Sequence, residues 1–393
     1  MVALPAIAAP DPTLDAIDRA VEAREAAIPT RGYLGMSQIG ESCERRLWYS
    51  FRWAFQRELP ADALYRIEDG HRTEDLLAAR LRMVPGIQLH TIDPRTGEQI
   101  ACSDHGGHFR GHLDGAVLGL LQAPKTWHVW ESKAVDPSKQ AKLAKLKVVD
   151  EKAALAAWDP IYWAQAVVYM DYTSLERHYL SCASPGGRTT VTVRTNADPE
   201  AAAALREKAR RIITADGPLP RLSDDPAFWQ CKSCPAQAVC HGKKLPPVSC
   251  RTCAHATPAL DGDGCWTCAR WTDEDIPLDA QRTGCDEHRY IPALVTWAEQ
   301  IDADAAANWI EYRLPDGRTF RNGAPDRGCY TSDELRAIDP ALIGDAVADD
   351  IRATFDARIV EPGPALPVPP PLPPMAERPF RDLSRPALNW KHA

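Results

Sequence analysis

Asp114, in the tight Gly-Xaa-Xaa-Asp-Gly turn of FRGHLDGAV (109–117), and Glu131 and Lys133, two residues apart in VWESKAV (129–135), have the types and spacing to do chemistry. Side chains at i and i+2 of a strand share a face, so Glu131 and Lys133 point the same way along this apolar run. A hairpin that sets Asp114 beside Glu131 puts two carboxylates and one ammonium into a single cleft. At about 4 Å and an effective dielectric near 20, two carboxylates repel by roughly 4 kcal/mol. A divalent cation offsets that repulsion, acidifies a water and polarises a phosphoryl oxygen. The lysine can orient that water and stabilise charge in the transition state. Such a trio suits metal-dependent hydrolysis of a phosphodiester.

These residues need elements to hold them. Strands are expected near 86–91, 107–121, 126–135, 176–183 and 189–194, with Gly186-Gly187-Arg188 as a hairpin turn between the last two. The run 67–81 reads as an amphipathic helix with Ile67, Leu76, Leu77 and Leu81 toward the core. It carries Glu74, and one turn earlier His71, on a side that can meet the cleft; solvated surface is the simpler reading of His71. A helix over 157–172 should cover the sheet, with Gln165 and Tyr169 at i, i+4. Further helices are expected at 13–27, at 200–214 and at 33–57, the last with Trp48, Phe51 and Trp53 on one face.

Cysteines add a second pattern. Cys231, Cys234 and Cys240 form C-x2-C-x5-C, and Cys43 stands alone far upstream. Taken in order, Cys43, Glu74, Asp114, Glu131-Ser132-Lys133, Gln165-Tyr169 and the late cysteine trio resemble the PD-(D/E)XK nuclease superfamily. Within it they resemble the RecB-like iron–sulfur type, namely AddB-nuclease-like and CRISPR-associated RecB-like exonucleases, and the resemblance spans 33–242. It implies an α/β restriction-endonuclease-like core in which Asp114 and Glu131 hold Mg²⁺ or Mn²⁺, helped by Glu74 and the backbone carbonyl of Ser132. It also implies Lys133 as the residue that positions water, and Gln165 and Tyr169 near the scissile phosphate. Cys43, Cys231, Cys234 and Cys240 would ligate a structural [4Fe–4S] cluster, although four thiolates suit zinc as well. The implied activity is an exonuclease on DNA ends or single-stranded DNA, in recombination, repair or replication and in a phage setting. With no helicase motif of its own, the chain would depend on a free end, a single strand, or a helicase or single-strand-annealing partner. A CRISPR-adaptation-type nuclease and a non-catalytic DNA- or protein-binding adaptor are the alternatives.

Composition and organisation set the frame. No apolar run reaches 18 residues, so no membrane span is expected. Metal-like cysteine spacings without a signal-peptide pattern point to a reducing cytoplasm; Cys102, Cys182 and Cys329 are left as free buried thiols. The net charge is −8, but residues from 246 onward hold 15 Lys/Arg against 24 Asp/Glu, which leaves 1–245 close to neutral. Basic clusters at 133–147 and 206–211 are therefore candidates for phosphate contact. The chain divides into an N-terminal arm and helix (1–30), the nuclease-like domain (31–245), a zinc-binding module (246–292), a small mostly helical region (293–360) and a proline-rich linker and tail (361–393). In the zinc module Cys250, Cys253, Cys268 and Cys285 are the expected ligands, with Cys265 and His288 as competitors and Trp266 and Trp271 forming a small apolar core. The run 297–314 is read as helical.

Overall fold

A computed structural model describes residues 11–271 and 275–361; the expected proline-rich tail lies almost wholly outside them. Helices α1 (Pro12–Ala26), α2 (Glu44–Phe51) and α3 (Ala61–Arg82) open the chain, with the short strand β1 (Leu34–Gly35) between the first two. Strands β2 (Gln88–His90), β3 (Ala101–Asp104), β4 (Phe109–His112), β5 (Gly115–Leu118) and β6 (His128–Ala134) follow. Then come α4 (Pro137–Val149), α5 (Glu151–Trp158), α6 (Pro160–Thr173), β7 (Arg177–Ala183), β8 (Thr190–Asn196) and α7 (Pro199–Thr214). Asp-Pro pairs start α1, α4, α6 and α7: Asp11, Asp136, Asp159 and Asp198 each accept hydrogen bonds from first-turn amides, while the proline supplies a preset φ where no amide donor is needed.

The fold is mixed α/β. Its central sheet has the order β2-β5-β6-β7-β8, with β6 and β7 parallel and the other pairs antiparallel. One face packs Val117, Trp130 and Tyr179 against Leu77 and Ala78 of α3. The other packs Leu180, Cys182 and Val193 against Leu143, Leu155, Trp158 and Ala166 from α4, α5 and α6. Glu131 and Lys133 pair in register with Leu180 and Cys182, which places them on this second face. The stretch read as one strand over 107–121 is in fact two, β4 in a small sheet of order β1-β4-β3 and β5 in the central sheet. Asp114 sits at the joint between them.

Several expected elements shift. Only 44–51 of the run 33–57 is helical: Cys43 caps its start, and Trp53, with φ 53, ends it. Trp48, Phe51 and Trp53 are buried core. On α3 the buried positions are Ala61, Leu64, Thr73, Leu77 and Ala78, whereas Ile67 and Leu76 are exposed. Helices α4 and α5 lie outside the expected elements: the lysines of 133–147 mask on α4 a shallow apolar side whose one fully buried aliphatic residue is Leu143, and α5 is a short eight-residue helix that buries Ala154, Leu155 and Trp158.

Beyond α7 come α8 (Trp229–Lys232), α9 (Gln237–Cys240), the hairpin β9 (Ala256–Pro258) and β10 (Trp266–Cys268), and α10 (Leu278–Thr283). The region read as mostly helical is instead a four-stranded sheet, β11 (Glu299–Asp304), β12 (Trp309–Arg313), β13 (Thr319–Asn322) and β14 (Cys329–Tyr330), followed by α11 (Ser332–Ala337) and α12 (Ala346–Phe355). The alanine-rich run 303–307 misleads: the Asp304 carboxylate accepts from the amides of Ala306 and Ala307, and Asn308 takes φ 55, so the chain turns between β11 and β12. Trp266 is fully buried, whereas Trp271 is exposed and forms no core.

One apolar cluster runs without a break from Trp48, Phe51, Val168 and Tyr169 to Trp266, Tyr290, Tyr312 and Phe320. Its seam is filled by two arginines. Arg251 lies over Trp53 and Trp266, 4.2 and 4.3 Å from their ring centroids, and donates to Phe51 O, Gly32 O and Gln281 Oε1. Arg52 lies 4.8 Å from the other side of the seam at Trp266 and donates to Ala256 O. Burial pushes Arg251 down to about 9 and Arg52 down to about 10. The 246 boundary therefore separates two stretches of sequence that share a core.

Candidate active site

A cleft of about 540 Å³ opens where α3, α6 and the β4–β5 joint meet. Glu74, Asp114, Gln165 and Tyr169 line it, together with His71 and Arg31, Tyr33, Gln99 and Arg110. Glu131 and Lys133 are not among its lining residues; they neighbour Asp114, whose charge acts on both. The Asp114 carboxylate extends the β5–β6 ladder by one step: its Oδ2 accepts from the amide of Ser132 at 2.7 Å. That bond fixes Asp114 against the Glu131–Lys133 strand.

Charge is concentrated here. Glu131 is 3% exposed, and neither of its carboxylate oxygens has a hydrogen-bond donor. Burial, then the Asp114 charge, holds its carboxyl well above the usual range. Lys133 Nζ stands 3.6 Å from Glu131 Oε1. Burial pulls the lysine toward neutrality, but Glu131 and Asp114 outweigh it and leave its pKa raised. Glu74 is half-buried and pushed up to about 7, by burial first and Asp114 second. Three acidic groups thus repel one another around one lysine, with two donorless buried oxygens between them. The donor set fits a divalent cation, since hard oxygen ligands with unspent lone pairs are what Mg²⁺ and Mn²⁺ take. Among the described residues, however, no group of three or more His, Cys, Asp or Glu is arranged to hold a metal ion as it stands.

α6 presents Gln165 and Tyr169 from the covering layer. The Tyr169 hydroxyl donates to His112 O at 2.9 Å, and burial raises its pKa strongly. This contact explains Gly111: a Cβ there would lie 2.5 Å from Tyr169 Cε1 and 2.7 Å from its hydroxyl. His71, one turn before Glu74, is exposed yet belongs to the cleft rim. Arg31, Tyr33, Gln99 and Arg110 were missed in the sequence. Arg31 and Tyr33 come from the loop before β1, Gln99 from an isolated bridge to Ile92 and Arg110 from the four-residue β4, none of which is long enough to show a period.

The basic clusters prove largely self-satisfied. Lys208 donates to Ile39 O and Glu41 O, Arg206 pairs with Asp171, Arg210 with Glu207 and Arg211 with Glu44. Lys139 pairs with Asp159. Of the 133–147 lysines, Lys142 and Lys145 remain exposed.

The cysteines of each expected group are neighbours, but among the described residues neither group is arranged to hold a metal ion as it stands. Cys43 caps α2, its Sγ accepting from the Arg46 amide at 3.4 Å. Burial, then the Cys240 and Cys43 thiols, raises Cys231; Cys234, raised by burial, feels the same two neighbours. A second cavity of about 600 Å³ is lined by Cys250, Cys253, Cys268 and Cys285, with His255 nearby. Burial pushes Cys250 up to about 12, and the thiols of Cys253, Cys285 and Cys268 add to it. Cys265 is not among the lining residues. His288 lines the cavity, but both its ring nitrogens are engaged, by Thr252 Oγ1 and Ser332 Oγ. Cys102 and Cys182 are buried free thiols, whereas Cys329 is only partly buried.

Comparison with protein-family models and with curated proteins finds no match. Among solved structures the chain is similar to the crystal structure of SSO0001, at 15% identity over 59% of this chain and 96% of that one, with a TM-score of 0.34. It is also similar to an alkaline exonuclease, LHK-Exo, from Laribacter hongkongensis, at 14% identity over 49% of this chain and 90% of that one, TM-score 0.31. The complex of LHK-Exo with dAMP matches at 15% identity over 46% and 86%, TM-score 0.31. At these scores the neighbours do not decide what the cleft does; its own residues must. No described helix is long and apolar enough to cross a membrane.

Proposed function

We propose that the chain is a metal-dependent DNA nuclease of the PD-(D/E)XK type that acts on DNA ends or single strands, in recombination, repair or replication. The observation that carries this reading is the convergence of Asp114, Glu131, Glu74 and Lys133, with the Glu131 oxygens buried and without donors. Asp114, Glu131 and Glu74 would hold Mg²⁺ or Mn²⁺. When bound, the cation supplies a Lewis acid for the phosphoryl oxygen and lowers the pKa of a water. Lys133, held by Glu131 at 3.6 Å, directs its ammonium at the attacking water and at the charge that develops on the phosphate. Gln165 and Tyr169 form the opposite wall, on which the cut strand rests. A free end, or a helicase or single-strand-annealing partner, would deliver the substrate.

Cleavage of end-labelled single- and double-stranded linear DNA tests the proposal. Full-length protein should cut with Mg²⁺ or Mn²⁺ and not in EDTA, and Lys133→Ala should abolish cutting. Folded wild-type protein that cuts no DNA with either metal would refute the nuclease and favour a binding adaptor.

The cysteine groups belong to the same proposal as structural staples. Cys43, Cys231, Cys234 and Cys240 would take a [4Fe–4S] cluster or zinc, and Cys250, Cys253, Cys268 and Cys285 a zinc ion. Metal analysis of anaerobically purified protein should find iron or zinc at the first site and zinc at the second. Cys234→Ser should lose only the former and Cys268→Ser only the latter, each with a lower melting temperature. Unchanged metal content in both variants would contradict the assignment.

A further inference from the structure

The loop 259–264 of the C-terminal module is fitted against the turn that carries Arg110. Gly264 N donates to Gly106 O at 2.6 Å, and His108 Nε2 bonds Ala259 O at 3.0 Å. The fit requires glycine twice. A Cβ on Gly106 (φ +62) would lie 2.5 Å from the backbone of Leu260, and one on Gly107 (φ +81) 2.6 Å from Gly264 N. Through this seam Asp263 reaches Arg110 and pairs with its Nη2. Arg110 Nε donates to Gly107 O at 2.6 Å, and its guanidinium stands 5.9 Å from the Tyr33 ring. Among the described residues Nη1 has no protein partner, and Arg110 lines the cleft beside Gly111, His112 and Asp114.

The Asp263 carboxylate is 89% exposed. An ion pair this open contributes at most about 1 kcal/mol, which is the scale of a several-fold effect on how Arg110 is held rather than of the fold's stability. A guanidinium clamped on its Nε and Nη2 sides keeps its remaining donors in a fixed fork, the geometry that matches a phosphate. We infer that Arg110 binds a backbone phosphate of the DNA strand in the cleft, and that Asp263 of the C-terminal module is its positioning residue. The substrate cleft is thereby completed by a part of the chain that contributes no catalytic group. The inference rests on the nuclease reading for its substrate, but not for its test.

The test is binding of a labelled single-stranded oligonucleotide, by anisotropy in EDTA at several salt concentrations, together with steady-state cleavage in Mg²⁺. Arg110→Ala should weaken binding roughly tenfold or more, as expected for one lost charge-assisted contact. It should also reduce the slope of log K against log salt by about 0.7. Asp263→Ala should raise KM several-fold with little change in kcat, and Asp263→Glu should restore most of the loss. Wild-type affinity and slope in Arg110→Ala would overturn the phosphate contact. Tighter binding in Asp263→Ala would overturn the positioning role, because it would make Asp263 a competitor of phosphate. If the wild type binds with these dependences but does not cut, the nuclease reading fails and Arg110 stands; wild-type protein that binds no DNA overturns both.

Discussion

Glu131→Gln is expected to reduce Mg²⁺-dependent DNA cleavage by roughly a thousandfold or more, while the metal-free protein becomes no less stable and melts slightly higher. If Glu131 ligates the proposed cation, its loss removes several kcal/mol of transition-state stabilisation, and about 4 kcal/mol is a factor of a thousand. The stability half follows from what Glu131 lacks. Both its oxygens are buried without a donor and lie beside Asp114 and Glu74. Ionising it in the folded state works against burial and like charge, which outweigh the attraction of Lys133 at 3.6 Å, and in the variant Lys133 keeps the Asp114 charge beside it. Because its folded pKa is raised, the penalty is absent below the ordinary carboxylate range, where the group is protonated in both states. It grows as pH rises toward the folded value. The gain in Glu131→Gln should therefore appear at neutral pH in EDTA and fade in acid. Activity assays and melting curves on the same preparation check both halves. A variant that is inactive and clearly destabilised at neutral pH would make Glu131 a structural residue.

The second large effect is on folding. Arg251→Ala should destabilise the whole protein by about 3 kcal/mol or more, lowering the melting temperature by about 5 °C or more. The side chain fills the gap between Trp53 and Trp266 and serves three acceptors, Phe51 O, Gly32 O and Gln281 Oε1. Truncation leaves a cavity between two rings and strands those acceptors, which costs more than the bonds themselves contribute. Arg251→Lys keeps a cation but cannot reach three acceptors at once, so it should be nearly as damaging. Gly32 adjoins the cleft residues Arg31 and Tyr33, and both variants should also lose activity below their melting temperatures. Thermal melts followed by tryptophan emission read the first effect. A single transition that moves in Arg251→Ala would show one cooperative unit; an early transition confined to the C-terminal part would show two.

The sequence carried the site better than the fold around it. Glu74, Asp114, Gln165 and Tyr169 line one cleft, and Asp114 bonds the strand of Glu131 and Lys133; all but Asp114, which its glycine turn marks, lie on elements long enough to announce themselves: the apolar run of β6, the helix α3, the apolar helix α6 behind its Asp159-Pro160 start. What the sequence concealed were features made by contacts across long separations. Arg31 and Tyr33 reach the cleft from the loop that leads into the two-residue β1, and Arg110 from the four-residue β4, below the length at which alternation is visible. The clusters at 133–147 and 206–211 looked free for phosphate because their partners, Asp159, Asp171 and Glu44, lie far off in the chain or on another turn. The 293–360 region failed through composition: alanine reads as helix, and the Asp304 side-chain bonds that bend the chain back are a local competitor to it.

The unbroken core has a consequence for how the chain is made. Trp48 and Phe51 emerge early, whereas Trp266 and Tyr290, which close over them, follow more than two hundred residues later. At about 5–20 residues per second, the aromatic face of α2 waits roughly ten to forty seconds for its cover. During that interval it is a sticky nascent surface of the kind that chaperones hold. The early part should therefore be slow to reach its native form until the final strands leave the ribosome, and a chain cut short before Trp266 is a candidate for aggregation rather than a smaller folded unit.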